Sequence, residues 1–137
     1  MGERVWALIG AVGLASPLVV ASGLEADAAG MGTHTQLGMP PCGWIVAYGR
    51  PCPTCGMTTA FTHAAHGEFV SAATAQPGGL LLAVLAAAGF WVCLHTAVTG
   101  SRAVWVTLRA VTPWRAGWMV AALGAAWAYK WWTYRSA

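Results

Sequence analysis

Two long runs of residues without a full charge constrain this fold more than any other feature of the sequence. Residues 5–24 make a run of twenty and residues 80–98 a run of nineteen. At about 1.5 Å per helical residue, each run is long enough to cross a hydrocarbon layer of roughly 30 Å. Charged residues make up 8% of the chain, against about 25% in soluble globular domains. The sequence therefore predicts an all-α integral membrane protein.

The first run also has some features of a secretory signal sequence. Glu3 and Arg4 precede it, and residues 26–28 read Ala-Asp-Ala, as at a cleavage site. A signal core is only about 7–15 residues long. Because the run at residues 5–24 is longer, a retained membrane helix is favoured, and cleavage stays open as the alternative.

A third span is predicted at residues 114–132, with Arg115 and Lys130 near its ends and tryptophans suited to the headgroup region. Three spans put the chain termini on opposite sides of the membrane. Lys and Arg are enriched in cytoplasmic loops. The loop before the second span has one such residue, Arg50, and the region after it has three: Arg102, Arg109 and Arg115. This contrast predicts a cytoplasmic N-terminus and an exoplasmic first loop.

The first loop contains a segment with three cysteines, residues 41–77, that is predicted to form a short helical hairpin. Pro is favoured at the first position of a helix, so Pro53 predicts Cys52 as the N-cap and Cys55 as the third helical residue. This helix is expected to end near Gly67, and a second one to occupy residues 68–75. Both are too short to span a bilayer, so the hairpin is expected to be re-entrant or interfacial.

The thiols allow three interpretations. In the first, Cys42, Cys52 and Cys55 join His34 in a Cys₃His set suited to zinc. In the second, Cys52 and Cys55 are the catalytic pair of a thiol-disulfide oxidoreductase, since a helix N-terminus favours the thiolate. In the third, Cys42 forms a structural disulfide with Cys52 or Cys55.

The remaining candidate ligands are separate from this set. His66 lies eleven residues beyond Cys55 on a helix, roughly 16 Å along the axis, so His63 and His66 are not expected to share an ion with the cysteines. They are interpreted as polar residues of an interfacial helix. Cys93 lies within the second span and is interpreted as a small buried apolar residue.

The cysteine segment resembles a bacterial family of small membrane proteins catalogued as domain of unknown function 2752. The resemblance rests on Pro41-Cys42, Gly49-Arg50-Pro51-Cys52-Pro53-Thr54-Cys55-Gly56-Met57-Thr58, Gly67-Glu68 and Gln76-Pro77. It implies an integral membrane location, expected to be the bacterial inner membrane, and a shared cysteine hairpin, and it implies no activity. Thr59 stands where the family usually has Arg, which removes a cation one helical turn after Cys55.

These observations favour a non-catalytic accessory or assembly subunit of a larger membrane complex, with the cysteines in a structural disulfide or metal site. The expected partners are the lipid bilayer and other membrane subunits. Scattered arginines without a basic run argue against nucleic acid. The alternative function is a membrane thiol-disulfide oxidoreductase that uses Cys52 and Cys55.

The three-span topology predicts the location of the C-terminus. A reporter active only outside the cytoplasm, fused after Ala137, should be active, because an odd number of spans separates the two termini. A paired cytoplasmic reporter at the same position serves as the control. Activity of the cytoplasmic reporter alone would exclude three spans with a cytoplasmic N-terminus.

Overall fold

The computed structural model describes residues 2–134, which fold into α-helices and one 3-10 helix, with no strand in that range. The all-helical fold class is therefore confirmed. The α-helices are α1 (Gly2–Ser22), α2 (Gly43–Tyr48), α3 (Met57–Ala65), α4 (Phe69–Ala75), α5 (Pro77–Thr99), α6 (Ala103–Ala110) and α7 (Pro113–Thr133). The 3-10 helix, Thr33–Leu37, lies in the loop between α1 and α2.

Helices α1 and α5 are long and apolar enough to cross a membrane, and only 17% of the apolar window of each helix is buried inside the protein. The exposed residues include large apolar side chains such as Trp6, Val12 and Trp91. Contiguous apolar surface of this kind is rare on soluble monomers but is the normal lipid-facing surface of a membrane helix. The two helices therefore indicate membrane association.

Small residues bring α1 and α5 into close antiparallel contact. A Cβ at Gly10 would lie 3.2 Å from Cys93 Sγ, and one at Gly89 would lie 2.9 Å from Leu14 Cδ1. Buried alanines line the same contact: Ala7 and Ala11 in α1, Ala83 and Ala86 in α5. Small side chains let helix backbones approach closely, as membrane helices commonly do.

The third predicted span corresponds to α7, whose C-terminal half packs against the start of α5. A Cβ on Gly78 would lie 3.1 Å from Ala126 Cβ and 3.2 Å from Leu123 Cδ2. Among the described residues, only α1 and α5 have both the length and the apolarity of a membrane span. A membrane-spanning role for α7 therefore stays a prediction.

The cysteine segment contains the two short helices predicted for it, α3 and α4, joined at Gly67. Gly67 has φ +79°, the left-handed conformation that ends a helix and that glycine adopts without strain. Ala60, Ala72 and Ala75 are buried between these helices, with Leu80 of α5 packed against them. The hairpin is therefore held against the start of α5.

Two predicted helix boundaries are wrong. The helix expected to start at Pro53 starts at Met57, because Gly56 is left-handed at φ +83° and separates the cysteine turn from the helix. Cys52 is therefore not the N-cap, and Cys55 is not helical. Helix α5 starts at Pro77 rather than at residue 80. The extended backbone of Gln76 separates α4 from α5, and proline is favoured in the first turn of a helix.

Gly79 is a position where the packing of α5 on α3 forbids a side chain. A Cβ there would lie 2.7 Å from Ala60 Cβ and 3.4 Å from Met57 O. We expect Gly79→Ala to lower the free energy of unfolding by roughly 1–3 kcal/mol through overpacking, measured by thermal or denaturant unfolding in detergent.

Gly13→Ala is the matched control, since Gly13 is also in the interior of a long helix and a Cβ there would meet no atom within 4 Å. The control should be neutral or stabilising by up to about 1 kcal/mol, because Ala favours the helix over Gly. Equal stability of the two variants would contradict the packing argument.

Candidate metal centre

Three thiols converge at the loop end of α3. The Sγ atoms of Cys42, Cys52 and Cys55 all lie within 4.8 Å of one another, and those of Cys52 and Cys55 are 3.3 Å apart. Zinc binds cysteine sulfur at about 2.3 Å, so two sulfurs on one tetrahedral ion are about 3.8 Å apart. The cluster therefore has the dimensions of a site for a single metal ion.

Local backbone structure positions each thiol. Cys42 is the residue before α2, and its carbonyl accepts hydrogen bonds from the N–H groups of Ile45 and Val46 at 3.0 and 3.2 Å. Cys52 and Cys55 lie on a tight turn closed by the Cys55 N–H, which donates to the Cys52 carbonyl at 3.1 Å. The turn brings both sulfurs to the same side, towards Cys42.

Gly56 fixes the chain immediately after the second thiol of this turn. A Cβ at this position would lie 2.8 Å from the Gly30 carbonyl oxygen, 3.1 Å from the Ala75 carbonyl oxygen and 3.3 Å from Lys130 Nζ. Because its φ is also +83°, any other residue would be both strained and overpacked. Glycine is therefore required here by conformation and by space.

Polar side chains from distant parts of the chain hold the cysteine turn. The hydroxyls of Thr33 and Thr59, both buried, share a hydrogen bond of 2.9 Å. Buried Gln76 donates from Nε2 to the Pro53 carbonyl at 3.3 Å, and Trp127 donates from Nε1 to the Pro51 carbonyl at 3.5 Å. The turn is thus attached to the start of α5 and to α7, and α3, which follows the turn, is attached to the 3-10 helix.

Lys130 of α7 lies directly behind the turn and is only 6% exposed. Its Nζ donates to the Ala75 carbonyl at 2.8 Å and to the Gly30 carbonyl at 3.1 Å. The Thr59 position lacks the arginine that is usual in the resembled family, but α7 supplies a cation beside the cysteines from elsewhere in the sequence.

The surroundings of Cys42 and Cys55 shift the pKa values of these two thiols in opposite directions. Burial raises the pKa of Cys42, but hydrogen bonds from the Ile45 N–H and from the Cys55 and Cys52 thiols lower it to about 7, against an ordinary 9.0. Burial, together with the Cys42 and Cys52 thiols, raises the pKa of Cys55 to about 12. Cys42 therefore ionises more readily than Cys55.

His34 lies near the cluster without joining it. It lines the same cavity of about 350 Å³ as the three cysteines, together with Met39. Its Nε2 shares a hydrogen bond of 3.2 Å with the Pro40 carbonyl, and its ring is not among the groups that converge on the cluster. The structure thus brings together the three cysteines of the predicted Cys₃His set but not His34.

The other candidate ligands lie apart from the cluster. His63 Nδ1 pairs with Glu68 Oε2 at 2.6 Å, and His66 Nε2 shares a hydrogen bond of 3.2 Å with the Ser22 carbonyl. Cys93 lies in α5 beside Gly10 of α1. All four cysteines are free thiols, and the 3.3 Å between Cys52 and Cys55 Sγ exceeds the disulfide bond length of about 2.05 Å.

Sequence reasoning missed the residues that support the cluster from a distance. The sequence places Lys130 only near an end of the predicted third span, and it gives Gln76 only as part of the family resemblance. One signal was available for Lys130, since it is the single lysine of the sequence and follows an apolar helical run. No local pattern identifies the contacts of Gln76 and Trp127.

Comparison with known proteins gives one match. No curated protein and no solved structure matches the chain. Residues 42–90, which include the cysteine cluster, the α3–α4 hairpin and the first part of α5, match the model of the family described as Protein of unknown function (DUF2752). This match confirms the resemblance predicted from the sequence: over its cysteine segment, the chain is similar to the DUF2752 family.

Proposed function

We propose that this protein is a non-catalytic accessory or assembly subunit of a larger membrane complex, whose Cys42, Cys52 and Cys55 bind one thiolate-preferring metal ion such as zinc. The observation that carries the metal assignment is the convergence of three sulfurs within 4.8 Å. Two sulfurs on one turn could meet through local geometry alone. The third comes from the residue before a separate helix, α2, so its approach depends on the fold.

The fourth coordination position supports a role in an assembly. The cluster opens onto a cavity of about 350 Å³, which has room for water or for a side chain of another subunit. Structural zinc sites almost always have four protein ligands, so three cysteines need a fourth ligand to complete such a site. In this proposal, the fourth ligand is His34 after a change in its ring position, a water molecule, or a group from the partner subunit.

The proposed membrane arrangement follows from the packing of the helices. α1 and α5 are antiparallel spans, and α7, with 21 residues, has a length of about 31 Å at 1.5 Å per residue. Its Lys130 end reaches the cysteine loop. We propose α7 as a third span, with the cluster on the exoplasmic side of the bacterial inner membrane. Extensive exposed apolar surface on α7, including Trp118 and Val120, is compatible with lipid or with neighbouring subunits.

Metal binding can be tested on the purified full-length protein in detergent. We expect one equivalent of Zn²⁺ to bind and to protect three cysteines from alkylation, because three thiolates share the ion. Cys42→Ser and Cys52→Ser should each weaken zinc binding by at least roughly tenfold, measured by competition with a chromophoric chelator.

Cys93→Ser provides the matched control, since Cys93 lies outside the cluster in α5. It should bind zinc with unchanged affinity. A protein that takes up no zinc in its reduced state, or whose zinc affinity is unaffected by Cys42→Ser and Cys52→Ser, would rule out the proposed site.

A second function, thiol-disulfide exchange, is favoured by one specific observation: the large separation between the pKa values of Cys42 and Cys55. In this alternative, Cys52 and Cys55 together lose two electrons and two protons to a disulfide of a substrate protein, which is reduced to two thiols. The Cys42 thiolate then lies close enough to attack the new disulfide, which would form a bond from Cys42 to one cysteine of the pair, break the Cys52–Cys55 bond and release the other cysteine as a thiolate. A pair that opens and closes in mild glutathione buffers, in protein without metal, would support this function over the metal site.

The pKa values predict the pH dependence of alkylation in the reduced, metal-free protein. The thiolate is the reactive form, so the alkylation rate of Cys42 should rise with pH and reach half its maximum near pH 7. Cys55 should remain slow until far above pH 9, because its pKa is about 12. Peptide mass spectrometry after iodoacetamide pulses resolves the individual sites.

The protein unfolded in denaturant is the reference for this experiment, since unfolding removes the surroundings that separate the two cysteines. In the unfolded protein, the alkylation rates of Cys42 and Cys55 should rise with similar pH midpoints. Identical profiles for Cys42 and Cys55 in the folded protein would contradict the described geometry of the cluster.

A further inference from the structure

Lys130 is a buried cation behind the cysteine turn. Within residues 2–134, the single ion pair with atoms closer than 4.0 Å is His63–Glu68, so Lys130 has no carboxylate partner there. Buried lysines are rare unless their charge is compensated. The Nζ atom of Lys130 instead lies beside Gly56, the residue that directly follows Cys55. The buried ammonium is therefore next to the turn that carries Cys52 and Cys55.

Contacts fix the Lys130 ammonium at this position. Two of its three N–H donors are used by the carbonyls of Gly30 and Ala75. Its Nζ lies 3.3 Å from the position that a Cβ of Gly56 would occupy, and Gly56 directly follows Cys55. The absence of a side chain at Gly56 is what allows a cation from α7 to approach the backbone of the turn.

The proposed metal site would be stabilised by such a cation. A divalent ion bound by three thiolates carries a net charge of −1, and burial in a low-dielectric environment makes an uncompensated charge unfavourable. Two cations, Arg50 and Lys130, come into question for this role, and their contacts differ. Arg50 is stacked on the Trp131 ring, with its guanidinium carbon 4.5 Å from the ring centroid, whereas Lys130 lies behind the turn that carries two of the thiols.

We infer that Lys130 is the charge-compensating residue of the three-cysteine metal site, so that the last helix of the chain completes a site whose ligands are all in the first loop. This inference rests on the proposed metal-binding function. It assigns α7 a specific role: its positive charge stabilises the metal-loaded cluster, in addition to the hydrogen bonds that attach α7 to the loop and to the end of α4.

Two substitutions separate the charge from the hydrogen bonds. Lys130→Gln keeps an N–H donor and removes the charge, whereas Lys130→Arg keeps both. If the charge acts on the metal site, Lys130→Gln should lower zinc affinity by roughly tenfold or more, and Lys130→Arg should largely restore it. Arg115→Gln, at the opposite end of α7, removes the same charge far from the cluster and should leave affinity unchanged.

A purely structural role for Lys130 predicts a different result. Lys130→Gln would then lower thermal stability but bind zinc as the parent protein does once folded, as judged by gel filtration and circular dichroism. Equal zinc affinities for folded Lys130→Gln and the parent protein would overturn the inference and leave the proposed metal site intact. Absence of zinc binding by the parent protein would overturn both.

The unmodified protein offers a second measurement that does not depend on a variant folding. Because Lys130 is the single lysine of the sequence, labelling with ¹⁵Nζ,¹³Cε-lysine gives one side-chain signal in NMR spectra. Zinc should shift this signal with an endpoint at one equivalent, and should not shift it in Cys52→Ser. A signal that stays unmoved while the parent protein binds zinc would overturn the inference.

Discussion

The close backbone contact at Gly56 is the constraint on which the rest of the cysteine region depends. At this point the carbonyls of Gly30 and Ala75 and the ammonium of Lys130 lie where a side chain would otherwise be. The first loop, the end of α4 and the end of α7 therefore meet at a single glycine. The two thiols of the turn are fixed by the same contact, since Cys55 immediately precedes Gly56.

Small residues also allow close backbone contact between the helices. Gly10 and Gly89 let α1 and α5 approach each other, Gly79 lets α5 approach α3, and Gly78 lets α7 approach α5. The buried core consists largely of alanine, so large apolar side chains are left facing outwards. In lipid this distribution is favourable, because association of membrane helices depends on close packing rather than on burial of bulky apolar residues.

Much of this architecture follows from local sequence signals. Uncharged runs identified α1 and α5, and Gly67 and the short helical stretches identified the α3–α4 hairpin. The convergence of Cys42 on Cys52 and Cys55 is consistent with two of the three sequence interpretations, the Cys₃His set and the structural disulfide. The start of α3 was wrong because proline propensity at residue 53 is weaker than the tertiary contacts that hold Gly56 in the left-handed conformation. The roles of Gln76, Trp127 and Lys130 depend on contacts between residues distant in sequence, which periodicity and spacing do not encode.

The hydrogen bond from Lys130 to Gly30 joins residues separated by 100 positions. During synthesis, the loop with all three clustered cysteines leaves the ribosome well before α7 does. Until the last helix has formed, the turn lacks its cation and its contact with Trp127, and its thiols are less enclosed. The three thiols are thus most accessible to oxidation during synthesis, and packing of α7 against the first loop is the step that ends this period.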